Sequence, residues 1–280
     1  MAGLLAFLTA RAIPGIEAVR DGTYHRSLRL PHGGGVVALS DGEGHVAATL
    51  WVDDPGDLDA AQEHCRRLLD LDADPQAILA TLAGDPLIGP FVAAAPGRRV
   101  PGHVDGVELA VRAVLGQQVS VAGAATLAGR LVAQYGEPLA CPRAGVTHLF
   151  PSAARLASAD PQQLPMPRSR GQALVALAAA LDGGQVSLSG DMAPGEVRAQ
   201  LLSLPGIGPW TAGYIAMRVL GDRDVFLPTD LGVHRALRAL GCDERPAGAE
   251  ALAERWRPYR AYAMLHLWAT GAPRAPTATG

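Results

Sequence analysis

Between Leu204 and Met217 the chain reads LPGIGPWTAGYIAM. Two glycines flank one isoleucine, a proline follows, and an apolar stretch of helical spacing carries Trp210 and Tyr214. With EVRAQLLSL before it, the stretch predicts helix, tight turn, helix. Gly206 and Gly208 can take positive φ and let a second backbone come close. Pro209 suits the first turn of the second helix. Unpaired N–H groups at that helix start suit one phosphate. The same pattern describes an ordinary αα-hairpin with a glycine turn, so its surroundings must decide.

Composition narrows the classes. The 280 residues are 49% hydrophobic and 18% charged, enough for a sizeable core in one or two domains. No apolar run reaches the ~18 residues that span a bilayer. The opening MAGLLAFLTARAIPGIE has no basic residue before its apolar stretch, and reads as a first helix rather than a secretory signal. Cys65, Cys141 and Cys242 are scattered and form no CxxC pair, which supports no disulfide framework and no zinc or iron–sulfur site. A reducing cytoplasm is the expected compartment. A net charge of −3 argues against coating nucleic acid by bulk charge, though not against gripping a few phosphates locally. All 24 basic residues are arginines, and the chain has no lysine.

Short stretches of strand character lie around 16–19, 24–30, 36–39 and 46–52, separated by DG, PHGGG and DGEG. PHGGG is expected as a loop between strands rather than a phosphate cradle, since no helix follows it. A first helix is expected over 4–12 and a capped one from about Asp57 to Leu71. After the Pro/Gly-rich stretch 96–106 the rest reads as helices of 8–20 residues joined by short loops. The tail from Gly271 to Gly280 is expected to be mobile. The fold class is therefore α+β: a small antiparallel-sheet domain over residues 1–80, then a mainly helical body over 81–280. His64, His148 and His234 have no ligand spacing and read as surface or core residues.

After the second hairpin helix the chain continues GDRDVFLPTDLGVHRALRALG, with Asp230 after a proline loop at the start of another helix. A carboxylate there fits a helix N-cap, and it also fits a functional group held at a helix start.

The run LPGIGPWTAGYIAMRVLGDRDVFLPTD resembles the helix-hairpin-helix DNA glycosylases: a hairpin, then an aspartate after a proline loop about 20 residues on. FLTARAIPGIEAV, VRAVLGQQVSVAGAATLAGRLVAQYGEPL and AERWRPYRAYAMLHLWATG extend the resemblance to the AlkA-type 3-methyladenine glycosylases over nearly the whole chain. The resemblance implies two helical lobes around an active-site cleft, with Gln118 and the hairpin in one lobe. The other lobe would join the linker after residue ~80 to the C-terminal helices, with Asp230 between the two. It makes Asp230 the catalytic residue, stabilising positive charge on the sugar as the glycosidic bond breaks, or helping water reach C1′. It makes Trp210, Tyr214 and Trp268 an aromatic pocket for a base flipped out of the stack, where a cationic base gains about 0.5–2 kcal/mol. Core packing is the other reading of those rings.

The resemblance assigns Leu204, Pro205, Gly206, Ile207 and Gly208 to the DNA backbone. It gives the carbonyls of Leu202, Leu204 and Ile207 to a monovalent cation bridging to phosphate. Gln117 and Gln118, in GQQVS, match the turn that fills the gap left by the flipped base. Here the sequence departs from the pattern, with glutamine at the wedge where relatives carry an apolar residue. Thr229 and Leu231 also replace an acidic and an aromatic neighbour of the catalytic aspartate.

Relatives that nick the strand use a lysine where this chain has Trp210, and the iron–sulfur relatives need four cysteines near the C-terminus. The resemblance thus implies a monofunctional hydrolase with no required cofactor and no iron–sulfur cluster. Its partner would be double-stranded DNA holding a damaged base, met by a monomer at the bacterial nucleoid. A DNA-structure binder without the chemistry is the alternative. The adenine-mispair branch fits less well, lacking its cysteines here.

Overall fold

Strand β1 (Glu17–Arg20), β2 (Thr23–Leu30), β3 (Gly33–Asp41) and β4 (Val46–Val52) form one antiparallel sheet in sequence order, with Tyr24 opposite Leu39 and Val37 opposite Leu50. This computed structural model describes residues 2–270. The expected tail Gly271–Gly280 and Met1 lie outside the described residues. Helices α1 (Ala2–Thr9) and α2 (Leu58–Leu68) flank the sheet in sequence. They are followed by α3 (Pro75–Leu82), α4 (Gly89–Ala94), α5 (Gly106–Leu115) and α6 (Val121–Tyr135). A second two-stranded sheet, β5 (Glu137–Arg143) with β6 (Val146–Leu149), interrupts the helices. Then come α7 (Ala153–Ala157), α8 (Arg168–Asp182), α9 (Pro194–Leu202), α10 (Pro209–Arg218), α11 (Leu231–Ala239), α12 (Pro246–Ala253) and α13 (Arg260–Thr270).

The α+β class expected from the sequence is the class observed. The β5–β6 hairpin was not expected. Its turn is Ala144–Gly145, with φ of 51° and 91°, rather than the usual Asn-Gly. Pro138 and Pro142 argue against a strand in sequence, but β5 carries a register irregularity and tolerates them. PHGGG also differs from expectation: only Pro31 and His32 turn, and Gly33–Gly35 open β3. A Cβ on Gly34 would stand 2.9 Å from Leu139, and one on Gly35 2.8 Å from the Trp51 carbonyl, so the glycines belong to a tightly covered strand.

The described residues form two compact units, one from 2–72 and 101–221, the other from 73–100 and 222–270. The boundary expected at residue 80 falls inside α3. In the first unit one face of the sheet (Tyr24, Leu28, Val37, Leu39) packs on Leu4, Leu5 and Leu8 of α1 and Ala61, Cys65 and Leu68 of α2. The other face sets Val36 against Leu139, Val146 and Leu149 of the β5–β6 hairpin. A larger helical core gathers Leu109, Val114, Leu131, Leu174, Leu177, Leu201 and Ile215.

A charged cluster is built into this unit. Glu17, Arg26 and Glu108 are nearly excluded from water. Arg26 Nη2 donates to Glu108 Oε2 at 2.7 Å, Arg112 Nη1 to Glu108 Oε1 at 2.7 Å and to Glu17 Oε2 at 3.1 Å. The Tyr24 hydroxyl donates to Glu17 Oε1, and Arg112 Nη2 to the Arg11 carbonyl at 2.7 Å. Burial drives the Glu108 carboxyl up, but Arg26 and Arg112 outweigh it and leave it below the ordinary 4.5. The second unit holds its two chain segments together through Asp85. One carboxylate oxygen accepts Trp256 Nε1 at 3.0 Å and pairs with Arg255 at 2.7 Å, while the other accepts the N–H groups of Leu87 and Ile88.

Removing one partner of a buried charge cluster strands the others, at about 3–5 kcal/mol. Glu108→Gln is expected to lose that much stability at pH 7. A carboxyl depressed in the fold contributes stability above its unfolded value and loses it as pH falls through the folded one. Burial also pushes His103 down to about 4, so its neutral form is favoured by folding and stability falls between pH 6.5 and 4. Urea unfolding followed by circular dichroism should show wild-type stability falling from pH 6.5 downward, with a further loss below 4.5 that Glu108→Gln lacks.

Candidate active site

The hairpin lies in the first unit. α9 ends at Leu202, and the turn is closed by Leu204 N–H to the Leu201 carbonyl at 3.1 Å and Ile207 N–H to the Leu204 carbonyl at 3.3 Å. Leu204 and Ile207 are buried in the helical core, which leaves Pro205 and Gly206 at the surface between two apolar anchors. Leu202 is exposed. Gly206 takes φ +78°, and an added Cβ would stand 2.5 Å from the Ala173 Cβ on α8, so this glycine is required twice over. Gly208 precedes Pro209, which opens α10.

Gln117 and Gln118 follow the C-terminus of α5. The Gln117 side-chain amide donates to the Gly206 carbonyl at 3.0 Å and to Thr211 Oγ1 at 2.9 Å, and Arg170 Nη2 donates to the Gln117 carbonyl at 2.7 Å. The amide thus ties the glutamine turn to the hairpin. Gln118 is exposed and takes φ +53°, a left-handed conformation that a glutamine adopts at some cost and that turns its side chain away from the helical path. Ser120 then caps α6 through Gly123 N–H at 3.1 Å.

Trp210 and Tyr214 share one face of α10, with ring centroids 5.2 Å apart and planes 15° from parallel. Arg218 lies one turn further on along α10. Its guanidinium is buried, donates to the Tyr214 hydroxyl at 2.7 Å and to the Gly102 carbonyl at 3.1 Å, and also donates to Pro101. It stands 5.5 Å from the Tyr214 ring centre and 5.3 Å from that of Phe7, which Arg11 covers at 3.6 Å. Burial holds this arginine below its ordinary value. The i, i+4 spacing from Tyr214 was the only signal of this role in the sequence.

Asp230 lies in the second unit and is the N-cap of α11. Its Oδ1 accepts Gly232 N–H at 2.8 Å, Val233 N–H at 3.0 Å and the Trp268 indole N–H at 2.8 Å. The same oxygen that starts the helix therefore also receives a side-chain donor from α13. His234 reaches back to the Pro228 carbonyl at 2.7 Å and pins the loop before the aspartate. His148 meets Thr147 Oγ1 at 2.8 Å, and His64 is held below its ordinary value by burial. Among the described residues no three His, Cys, Asp or Glu are grouped to hold a metal ion. No described helix is long and apolar enough to cross a membrane.

Two family models match this chain, the AlkA N-terminal domain over residues 1–105 and the HhH-GPD superfamily base excision DNA repair protein over residues 111–260. The chain belongs to the HhH-GPD superfamily. It is 41% identical to DNA-3-methyladenine glycosylase 2 of Escherichia coli, over 95% of this chain and 92% of that protein. It is 48% identical to the probable bifunctional transcriptional activator/DNA repair enzyme AlkA of Mycobacterium tuberculosis, over 96% of this chain and 54% of that protein. The chain thus spans about half the length of that relative. A 3-methyladenine DNA-glycosylase from Archaeoglobus fulgidus shares the fold, with a TM-score of 0.81 at 21% identity, covering 96% of this chain and 93% of that one. The hairpin depends on its tight turn. Gly206→Ala is expected to cost about 1–3 kcal/mol, from the positive φ and the clash with Ala173 together. Gln117→Ala should cost less, about 1 kcal/mol, as two hydrogen bonds give way to solvent. Thermal denaturation of both variants checks the order.

Proposed function

We propose that this chain is a monofunctional DNA N-glycosylase that flips an alkylated purine, of the 3-methyladenine type, out of double-stranded DNA and hydrolyses its N-glycosidic bond. The observation that carries the reading is Asp230, a carboxylate fixed by three N–H donors at a helix start in a chain of this superfamily. An alkylated purine is already cationic and leaves readily, so strong general-acid help is not needed. The demand falls on the sugar, where positive charge develops at C1′ as the bond lengthens. A carboxylate held in place stabilises that charge without reorganising at the moment of reaction. The water that then adds at C1′ gives a proton to solvent or to the carboxylate, and an abasic site remains.

Trp210 and Tyr214 are the stacking surface for the flipped base. Arg218 donates to the tyrosine hydroxyl from behind, so the indole is the more electron-rich of the two rings for a cationic base. The hairpin from Leu204 to Gly208 holds a phosphate through the N–H groups that open α10. The carbonyls of Leu202, Leu204 and Ile207 would hold a monovalent cation against that phosphate. Neutral carbonyl oxygens suit a hard cation, and the Leu204 oxygen, which already accepts Ile207 N–H, keeps a second lone pair. Such a cation would supply charge neutralisation at the phosphate, and no step of the reaction runs through it. Gln118, turned outward by its left-handed backbone, would fill the gap in the stack.

A strand-nicking lyase needs an amine nucleophile, and no lysine is present anywhere in the chain. The partner is duplex DNA, met by a single copy of the chain in the cytoplasm. Base release from methylated duplex DNA is expected from the wild type, with strand breaks appearing only after alkali. Asp230→Asn is expected to lower the single-turnover rate at least 100-fold while abasic-site DNA is still bound. Equal release by both would remove Asp230 from the chemistry. Binding of damaged DNA with release by neither would favour the non-catalytic DNA-binding alternative.

A further inference from the structure

We infer that Trp268 acts on the reaction through Asp230, as a positioning residue that holds the carboxylate by its indole N–H, and that Gly232 is the residue that makes room for it. The inference rests on the catalytic reading of Asp230 and changes the part given to Trp268, from a base-stacking ring to an orienting donor.

Two of the three bonds to Asp230 Oδ1 come from the first turn of its own helix, Gly232 N–H and Val233 N–H, and any N-cap aspartate makes them. The third comes from Trp268, 38 residues on, at 2.8 Å. Capping bonds fix where Oδ1 sits. A donor from a separate helix ties that oxygen to α13 as well, and because donors prefer to approach an sp² oxygen near its plane, it biases the plane in which the second oxygen is presented.

The indole can reach Oδ1 because position 232 has no side chain. A Cβ built on Gly232 would stand 2.8 Å from Trp268 Cδ1, 3.2 Å from Trp268 Nε1 and 3.0 Å from Asp230 Oδ1. Every other residue would have to push the donor away from the acceptor. Gly232 does not take a left-handed φ and lies inside α11, where glycine is a poor helix former. Its backbone conformation therefore gives no reason for glycine, and the packed indole does. Leu231 beside it points to solvent, 62% exposed, and takes no part.

The experiment separates the donor from the ring. Trp268→Phe keeps an aromatic face and removes the N–H, whereas Trp268→Leu removes both. A carboxylate misplaced by up to about an ångström lowers the rate by as much as 100-fold. Trp268→Phe is therefore expected to lower single-turnover base release about 10- to 100-fold, as far as Trp268→Leu does, with affinity for abasic-site DNA unchanged. Gly232→Ala should lower the rate in the same way with Trp268 intact, and either change on top of Asp230→Asn should cost little more.

The bond itself is read without activity. The Trp268 indole N–H resonance, assigned by its loss in Trp268→Phe, should move in Asp230→Ala and in Gly232→Ala. A Trp268→Phe enzyme at wild-type rate, with Trp268→Leu weakened only in binding, would return the ring to a stacking role and overturn the inference. So would an indole resonance that ignores both substitutions. A wild type that releases no base from any methylated DNA would overturn the functional reading and the inference with it, a failure recognisable because no variant is involved.

Discussion

Glu17, Arg26, Glu108 and Arg112 meet where the N-terminal sheet lies against α5, and Tyr24 completes the group. Two positive and two negative side chains cancel in charge, and each carboxylate is approached by more than one donor. Desolvating four ions is expensive, and only such dense reciprocal bonding offsets it. The arrangement does more than hold. Arg112 reaches the Arg11 carbonyl, and Ile13 N–H reaches Glu17 Oε2, so the chain between α1 and β1 is fixed to α5 as well. An apolar contact of equal size would tolerate sliding, while fork-shaped guanidinium bonds allow one register.

That register passes along α5 to the hairpin region of the first unit. α5 ends in the turn that carries Gln117 and Gln118. The Gln117 amide grips the Gly206 carbonyl and Thr211, and Arg170 grips the Gln117 carbonyl. The glutamine turn and the hairpin turn are therefore spaced by side-chain bonds inside one unit. Arg218 plays a similar part for the aromatic pair, linking Tyr214 to the carbonyls of Pro101 and Gly102 and to the Phe7 ring of α1. The small α+β segment thereby supports the hairpin region directly.

The sheet, the hairpin helices and the Asp230 helix start were legible in the sequence because each is written locally, in turn dipeptides, a GIG turn and a proline loop before a capping residue. Four-residue spacing placed Trp210 and Tyr214 on one face, and their rings do stack. The β5–β6 hairpin was not legible, since its prolines and Ala-Gly turn deny both usual signals, and what stabilises it is Val36 on a distant strand. The Glu17–Arg26–Glu108–Arg112 cluster was hidden for the same reason: its members lie up to 95 positions apart, and nothing local distinguishes a buried arginine from a solvated one.

Glycine is where local reading fell short most consequentially. The sequence marked Gly206 and Gly208 because they stand in a turn, and it passed over Gly232 because that residue lies in a helix. In Gly206 the backbone demands the absence of a side chain, as well as the neighbouring Ala173. In Gly232 only the neighbours demand it, an indole and a carboxylate from opposite ends of the second unit's C-terminal segment. A glycine of the first kind announces itself by its surroundings in the chain. One of the second kind becomes meaningful only when the helix across from it is known, because only then does the side chain it makes room for come into view.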